Sequence, residues 1–326
     1  MAELPAHFEK QPLSAQMPLA SFGRSKPARK TAQLRHFALA GGILVICFAM
    51  PLWELFRFAA GSELYSYILL IPFISFYLLW LKRETLPVST QPTRLISIIF
   101  FLAGLALTAM YWLLLRSSLR SAYDDYLAVM TICFLLFFYG ISSLFWGAQT
   151  LRAAAFPLAF LIFLVPIPLA ATQEINSFLQ SGSALAAAGF FSLTGTSYFQ
   201  NGLSFQLADI RLQIAPECSG IHSTLVLFIT SLLASYIFLR TPWKQALLTF
   251  FVIPLGILRN GFRVFVIGQM CIHMGPQMID SPVHHKGGPI FFVLSLVPLF
   301  LLLVILQKSE KDGSKTGLET SKTSHA

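Results

Sequence analysis

Three short polar clusters stand beside apolar segments of the chain and together carry a thiol, two guanidiniums and two imidazoles. They are Pro216-Glu217-Cys218-Ser219-Gly220-Ile221, Arg259-Asn260-Gly261-Phe262-Arg263 and His284-His285-Lys286-Gly287-Gly288. Such groups are the parts of a cysteine-nucleophile transferase or peptidase: a thiolate attacks, fixed donors hold the oxyanion and an imidazole exchanges the proton. Cys218 directly precedes an apolar segment, and Ser219 and Gly220 after it are good helix-start residues. The expected setting is therefore the positive end of a helix, beside unpaired backbone N–H groups, which favours the thiolate. Arg259 and Arg263, four residues apart, share a helical face with Asn260. Two cations so close repel each other unless anions or acceptors are near, and an arginine inside an apolar segment is costly enough to imply a function. Asn260 is placed to orient a neighbour or to donate to an oxyanion. Gly287 and Gly288 allow close backbone approach after the histidines, whose imidazoles titrate where a general acid or base must.

Each cluster also has a plainer reading. Cys218 can be an inert packing residue, or half of a disulfide with Cys271; Cys47 and Cys133 lie inside apolar stretches and read as packing residues. Arg263 can snorkel to lipid headgroups, and Asn260 can relieve a local break at Gly261. The two histidines can be solvated loop. Cys218, His222, His284 and His285 lack compact zinc-ligand spacing, so neither a metal nor another cofactor is expected.

The elements that must position these groups follow from composition. Of 326 residues 56% are hydrophobic and 11% charged, against roughly a quarter charged in soluble domains, which makes this an all-α integral membrane protein. The net charge of +9 collects in the tails and short loops, a pattern that orients a membrane protein and argues against nucleic-acid binding. Eight apolar stretches of about span length are expected, near 37–56, 64–81, 95–115, 126–146, 153–171, 220–239, 245–266 and 289–307. Trp80, Trp146 and Trp243 stand near span ends. With both termini cytoplasmic, sixteen of the 23 Lys and Arg fall inside and the other seven outside. That bias puts the three polar clusters on the extracytoplasmic face. Residues 1–36 read as a basic disordered cytoplasmic tail, 37–307 as the multipass domain and 308–326 as a second disordered tail. The extracytoplasmic loop 172–219 holds an expected amphipathic helix over 178–193, lying on the membrane surface. Alternating residues over 204–208 and 211–215 predict a short β-hairpin that delivers the chain to Cys218.

The runs Glu217-Cys218-Ser219-Gly220-Ile221, Asn260-Gly261-Phe262-Arg263 and His284 with Gly288 and Phe292 resemble the exosortase/archaeosortase family. Leu64-Tyr65-Ser66-Tyr67 with Ile71-Pro72-Phe73 resembles that family's second span, and Phe156-Pro157-Leu158 with Val165-Pro166-Ile167-Pro168 its fifth. The resemblance, over about 37–307, implies a transpeptidase-like enzyme of the plasma (inner) membrane. Its substrates are exported proteins with a short C-terminal motif, often Pro-Glu-Pro, followed by one transmembrane helix and a basic cluster; the acceptor is an unidentified amine or a glycan or lipid group. The family's cysteine, arginine and histidine map onto Cys218, Arg263 and His284, with Glu217, Ser219, Arg259, Asn260 and His285 in support. His284 is preferred to His285 because Gly288 and Phe292 then fall at the family spacing, and His222 departs from the Arg or Leu of many relatives. The alternative from another class is a non-catalytic transporter or lipid-handling protein that binds an anion through Arg259, Arg263, His284 and His285.

Overall fold

The computed structural model describes residues 27–87, 93–115, 123–207, 210–215, 219–280 and 288–323. Eleven helices are used below: α1 Pro27–Cys47, α2 Ala49–Gly61, α3 Ile71–Lys82, α4 Arg94–Met110, α5 Tyr123–Phe145, α6 Ala148–Ala153, α7 Ala155–Phe160, α8 Leu169–Leu193, α9 Ile221–Phe238, α10 Pro242–Met274 and α11 Gly288–Thr323. Strands β1 Phe199–Asn201, β2 Ser204–Gln206 and β3 Arg211–Gln213 form a small antiparallel sheet between α8 and α9, in the order β1-β2-β3.

Five helices are long and apolar enough to cross a membrane. The number rises to seven if two bent pairs each count as one span, against the eight expected from sequence. A shorter apolar helix over Ser66–Lys82 corresponds to the second expected stretch. Both bends have proline causes. Pro51 lacks the N–H that would bond the carbonyl of Cys47, and the chain turns 72° between α1 and α2. Pro166 and Pro168 end the next apolar run, and the chain turns 92° into α8. Phe73, Phe76, Leu95, Leu102, Ile290, Val297 and Phe300 are exposed along the helices, an apolar surface of the extent that a bilayer covers. Cys47 is also on that surface rather than packed inside, whereas Cys133 is buried.

Polar contacts sort the connections into two ends of the bundle. At one end Tyr65 donates to the Ile167 carbonyl (3.0 Å), the Leu169 N–H donates to Asp125 (2.9 Å) and His222 approaches the Leu64 carbonyl (3.4 Å). At the other end Lys82 reaches the Ala153 carbonyl and lies over the Tyr236 ring. There Glu310 accepts from the N–H groups of Arg240 and Thr241, which ties α11 to the α9–α10 turn. The second end carries Lys82, Arg83, Arg152, Arg240 and Lys244.

Two findings correct the sequence expectations. α8 does not lie alone on a membrane surface; it packs along α10, burying Gln180, Ser183, Ala184, Ala187 and Phe191. Its run Gly182-Ser183-Ala184-Leu185-Ala186-Ala187-Ala188 presents little side-chain volume, so the two backbones approach closely at Gly261. The predicted hairpin is present as β2 and β3, but β1 adds a third strand, closed on β2 by the turn Gly202-Leu203, where Gly202 takes φ +58°. α1 begins at Pro27 and α11 continues to Thr323. Once an apolar helix is nucleated each added residue gains a hydrogen bond, and no proline stands between Lys308 and Ala326 to stop it.

The core has three parts. One joins α2, α5 and the turn after α7 around Leu55, Tyr65, Leu127 and Phe160. A second joins α8, the sheet and the end of α10 around Phe191, Phe205, Leu212 and Ile267. A third joins α9, α10 and α11 around Leu227, Leu248, Val252 and Leu303. The Arg259–Arg263 segment of α10 runs between the second and third. α10 has 33 residues and so spans about 50 Å, well beyond the roughly 30 Å of hydrocarbon.

Candidate functional site

α9 starts in a tight turn. Gly220 adopts φ +74°, a left-handed conformation that costs other L-residues about 1–2 kcal/mol, and helical geometry begins at Ile221. Ser219 is buried, donates through Oγ to Asn176 Oδ1 on α8 (2.6 Å), and accepts from the Ile221 N–H (3.3 Å). The helix start expected from Ser219 and Gly220 is thus present, with the serine rather than the glycine satisfying an orphan N–H.

α10 holds this turn from the other side. The Gly220 carbonyl accepts from Arg259 Nη2 (3.4 Å), from Ser223 Oγ (3.1 Å) and from the Thr224 N–H (2.9 Å). Arg259 Nη2 also donates to Thr224 Oγ1 (3.2 Å). Arg259 is only 8% exposed, and its Nη1 has no hydrogen-bond partner among the described residues. The neighbouring Asn260, 3% exposed, donates through Nδ2 to the fully buried Ser183 Oγ on α8 (3.0 Å). A side chain at residue 220 would meet both neighbours, since a Cβ there lies 3.1 Å from Arg259 Nη2 and 3.4 Å from Asn260.

Arg263, one turn further along α10, is half-buried and lines a small cavity with Asn260, Val264 and Ile267 from the same helix and Leu212, Gln213 and Ile214 from the sheet. Gln180 on α8 donates to the Ile214 carbonyl (2.9 Å) and so fixes the strand against this cavity. Phe262 packs edge-on against Phe291 in the first turn of α11, with ring centroids 6.3 Å apart.

Of the residues singled out by sequence, Ser219, Arg259, Asn260 and Arg263 are therefore gathered where α8, α9, α10 and β3 meet. Glu217, Cys218, His284 and His285 lie outside the described residues. His222 points to the Leu64 carbonyl. Cys271 is a free buried thiol in the core under the sheet, not half of a disulfide. Sequence reasoning missed Asn176, Gln180, Ser183 and Thr224. Their signal was a polar stripe on segments otherwise apolar enough to be buried. Among the described residues no three His, Cys, Asp or Glu side chains gather as metal ligands.

Fold and site define a multipass membrane protein in which a buried arginine braces the turn at the start of a membrane helix and a buried asparagine ties the neighbouring helices together. The family model "Transmembrane exosortase (Exosortase_EpsH)" matches residues 53–301, most of the chain, and the protein belongs to that family. Searches of curated proteins and of solved structures returned no match.

Proposed function

We propose that this protein is a cysteine-type membrane peptidase or transpeptidase. It cleaves C-terminal sorting signals of exported proteins at the extracytoplasmic face and passes the product to an acceptor. The observation that carries this reading is the clasp of α10 on the Gly220 turn. The residue two positions after Cys218 is held by Arg259, one helical turn from Arg263, while Phe262 packs on the helix that begins four residues after His284. The Gly220 turn and the first turn of α11, which follow two of the clusters in sequence, both contact one stretch of α10.

In the proposed reaction the Cys218 thiolate attacks the carbonyl carbon of the scissile peptide bond. Arg263 stabilises the oxyanion that develops on the carbonyl oxygen. As the C–N bond breaks, His284 delivers a proton to the leaving amine, and a thioester to Cys218 remains. An amine, hydroxyl or water acceptor then attacks the thioester, gives up its proton to His284 and releases the thiolate. Arg259 holds the turn that follows the nucleophile in sequence, and Asn260 ties α10 to α8 beside it. The substrates are exported proteins whose tail carries a short motif, often Pro-Glu-Pro, then a transmembrane helix, then a basic cluster. The Lys- and Arg-rich end of the bundle lies in the cytoplasm with both termini, and the plasma membrane is the host bilayer.

The test uses a reporter with such a tail, co-expressed with the protein. Cys218→Ala abolishes processing while the protein still inserts in the membrane at normal level. A membrane-impermeant thiol reagent applied to spheroplasts blocks processing by the unsubstituted protein. Processing by Cys218→Ala at the parental rate sinks the proposal.

A further inference from the structure

We infer that the open edge of β3 is the docking strand for the substrate: an extended, acidic segment of the tail pairs with it and is thereby led to Arg263. This inference rests on the peptidase reading above and names how that site holds its substrate.

Among the described residues one edge of β3 is unused. In an antiparallel ladder successive residues point their N–H and C=O groups alternately toward and away from the neighbour. The Leu207 N–H donates to the Ile210 carbonyl, and the Ile214 N–H to the Leu203 carbonyl, so residues 210, 212 and 214 face β2. Arg211 and Gln213 therefore turn their backbone groups outward. No hydrogen bond reaches those groups among the described residues, and both residues are exposed. An unpaired strand edge is a template for an added strand, with main-chain bonds supplying affinity and alternate side chains supplying specificity.

Three features of this edge select its occupant. Gln213 borders the cavity that Asn260 and Arg263 line, so a peptide paired at Gln213 is beside the donor assigned to the oxyanion. β3 runs on within five residues to Cys218, so the strand and the nucleophile belong to one continuous stretch of chain. The exposed charge on the strand itself is cationic, Arg211, and the cavity beside Gln213 carries Arg263 with no acid among its described lining residues. Among the described residues the ion pair present, Arg83–Glu84, lies at the opposite end of the bundle. An acidic peptide complements that field, and an extended one matches the edge.

Disulfide cross-linking in membrane vesicles tests this. The full chain carries Cys47→Ser and Cys218→Ala, so no chemistry is required for docking, together with Gln213→Cys. The probe is the Pro-Glu-Pro-tailed reporter with single cysteines scanned along the ten residues before its apolar helix. Cross-link yield alternates with a period of two residues along the probe, the strong positions exceeding their neighbours at least fivefold. Gln200→Cys on β1, at the far edge of the sheet, gives none. A period of three to four residues, uniform yields, or equal cross-linking from Gln200→Cys overturns the strand-docking inference. These outcomes leave the peptidase reading standing if the parental protein processes the same reporter. Failure of the parental protein to process it defeats both.

Discussion

Gly261 is the place where a single methyl group is expected to disable the site from a distance. A Cβ added there lies 2.5 Å from Ala186 Cβ, 3.0 Å from the Ala187 nitrogen and 3.0 Å from the Ser183 carbonyl oxygen. Carbon–carbon contacts settle at about 3.5–4.0 Å, so Gly261→Ala is short of room by about 1 Å or more. The atoms it meets belong to α8's backbone and a Cβ, which no rotamer change can move, so α8 and α10 must separate. Overpacking of this kind costs about 1–3 kcal/mol. Separation by about 1 Å also stretches the bond from Asn260 to Ser183, now 3.0 Å, beyond hydrogen-bonding range and adds about 1 kcal/mol. The total is about 2–4 kcal/mol, which at about 2 °C per kcal/mol for a large domain lowers the melting midpoint by about 4–8 °C. Displacing a positioned group by about 1 Å costs on the order of 100-fold in rate, so reporter processing falls further than stability alone requires. The measurement is heat-induced loss of the monodisperse peak in detergent, with reporter cleavage scored at 25 °C. Gly189→Ala on α8 is the comparison, because a Cβ there meets nothing within 4 Å. A Gly261→Ala protein that melts and cleaves like Gly189→Ala refutes the close-packing account.

Three further substitutions probe the turn and the α8–α10 contact beside it. Gly220→Ala places a side chain at φ +74° against Arg259, so processing drops at least tenfold while the melting midpoint falls by only a few degrees; unchanged cleavage would show that this turn does not set the nucleophile. Asn260→Ala strips the buried Ser183 hydroxyl of its partner and costs about 1–3 kcal/mol, and Ser183→Ala restores part of it. A double-mutant cycle in thermal stability measures this, and strictly additive effects would rule out the bond.

Much of this architecture could be read in the chain before any fold was seen. Composition fixes the membrane class, and the positions of Lys82, Arg83, Arg240 and Lys244 agree with the end of the bundle where they are found. Alternation at Ser204–Gln206 and Arg211–Gln213 finds the hairpin, because a period of two has few other sources. The helix start at Ser219-Gly220 follows from local chemistry and is present. What escaped depended on distant partners. Asn176, Gln180 and Ser183 form a polar stripe that reads as a water-facing surface, since amphipathicity alone does not say whether that stripe meets water or another helix. The residues that answer them, Ser219, Ile214 and Asn260, come 43, 34 and 77 positions later. β1 escaped because Phe199-Gln200-Asn201 has no buried member to set a pattern.

In the proposed reaction α10 bears on which tails are accepted. It is one continuous helix that carries Pro254 between Trp243 near its foot and Arg263 twenty residues further on, and it is clamped along its flank by α8. A rod fixed in this way works as a height gauge. A tail whose own anchor helix is three residues shorter or longer presents its labile bond about 4.5 Å off the mark, a gap that side-chain motion does not close. Selection among tails would then act on the distance between motif and anchor as much as on the letters of the motif.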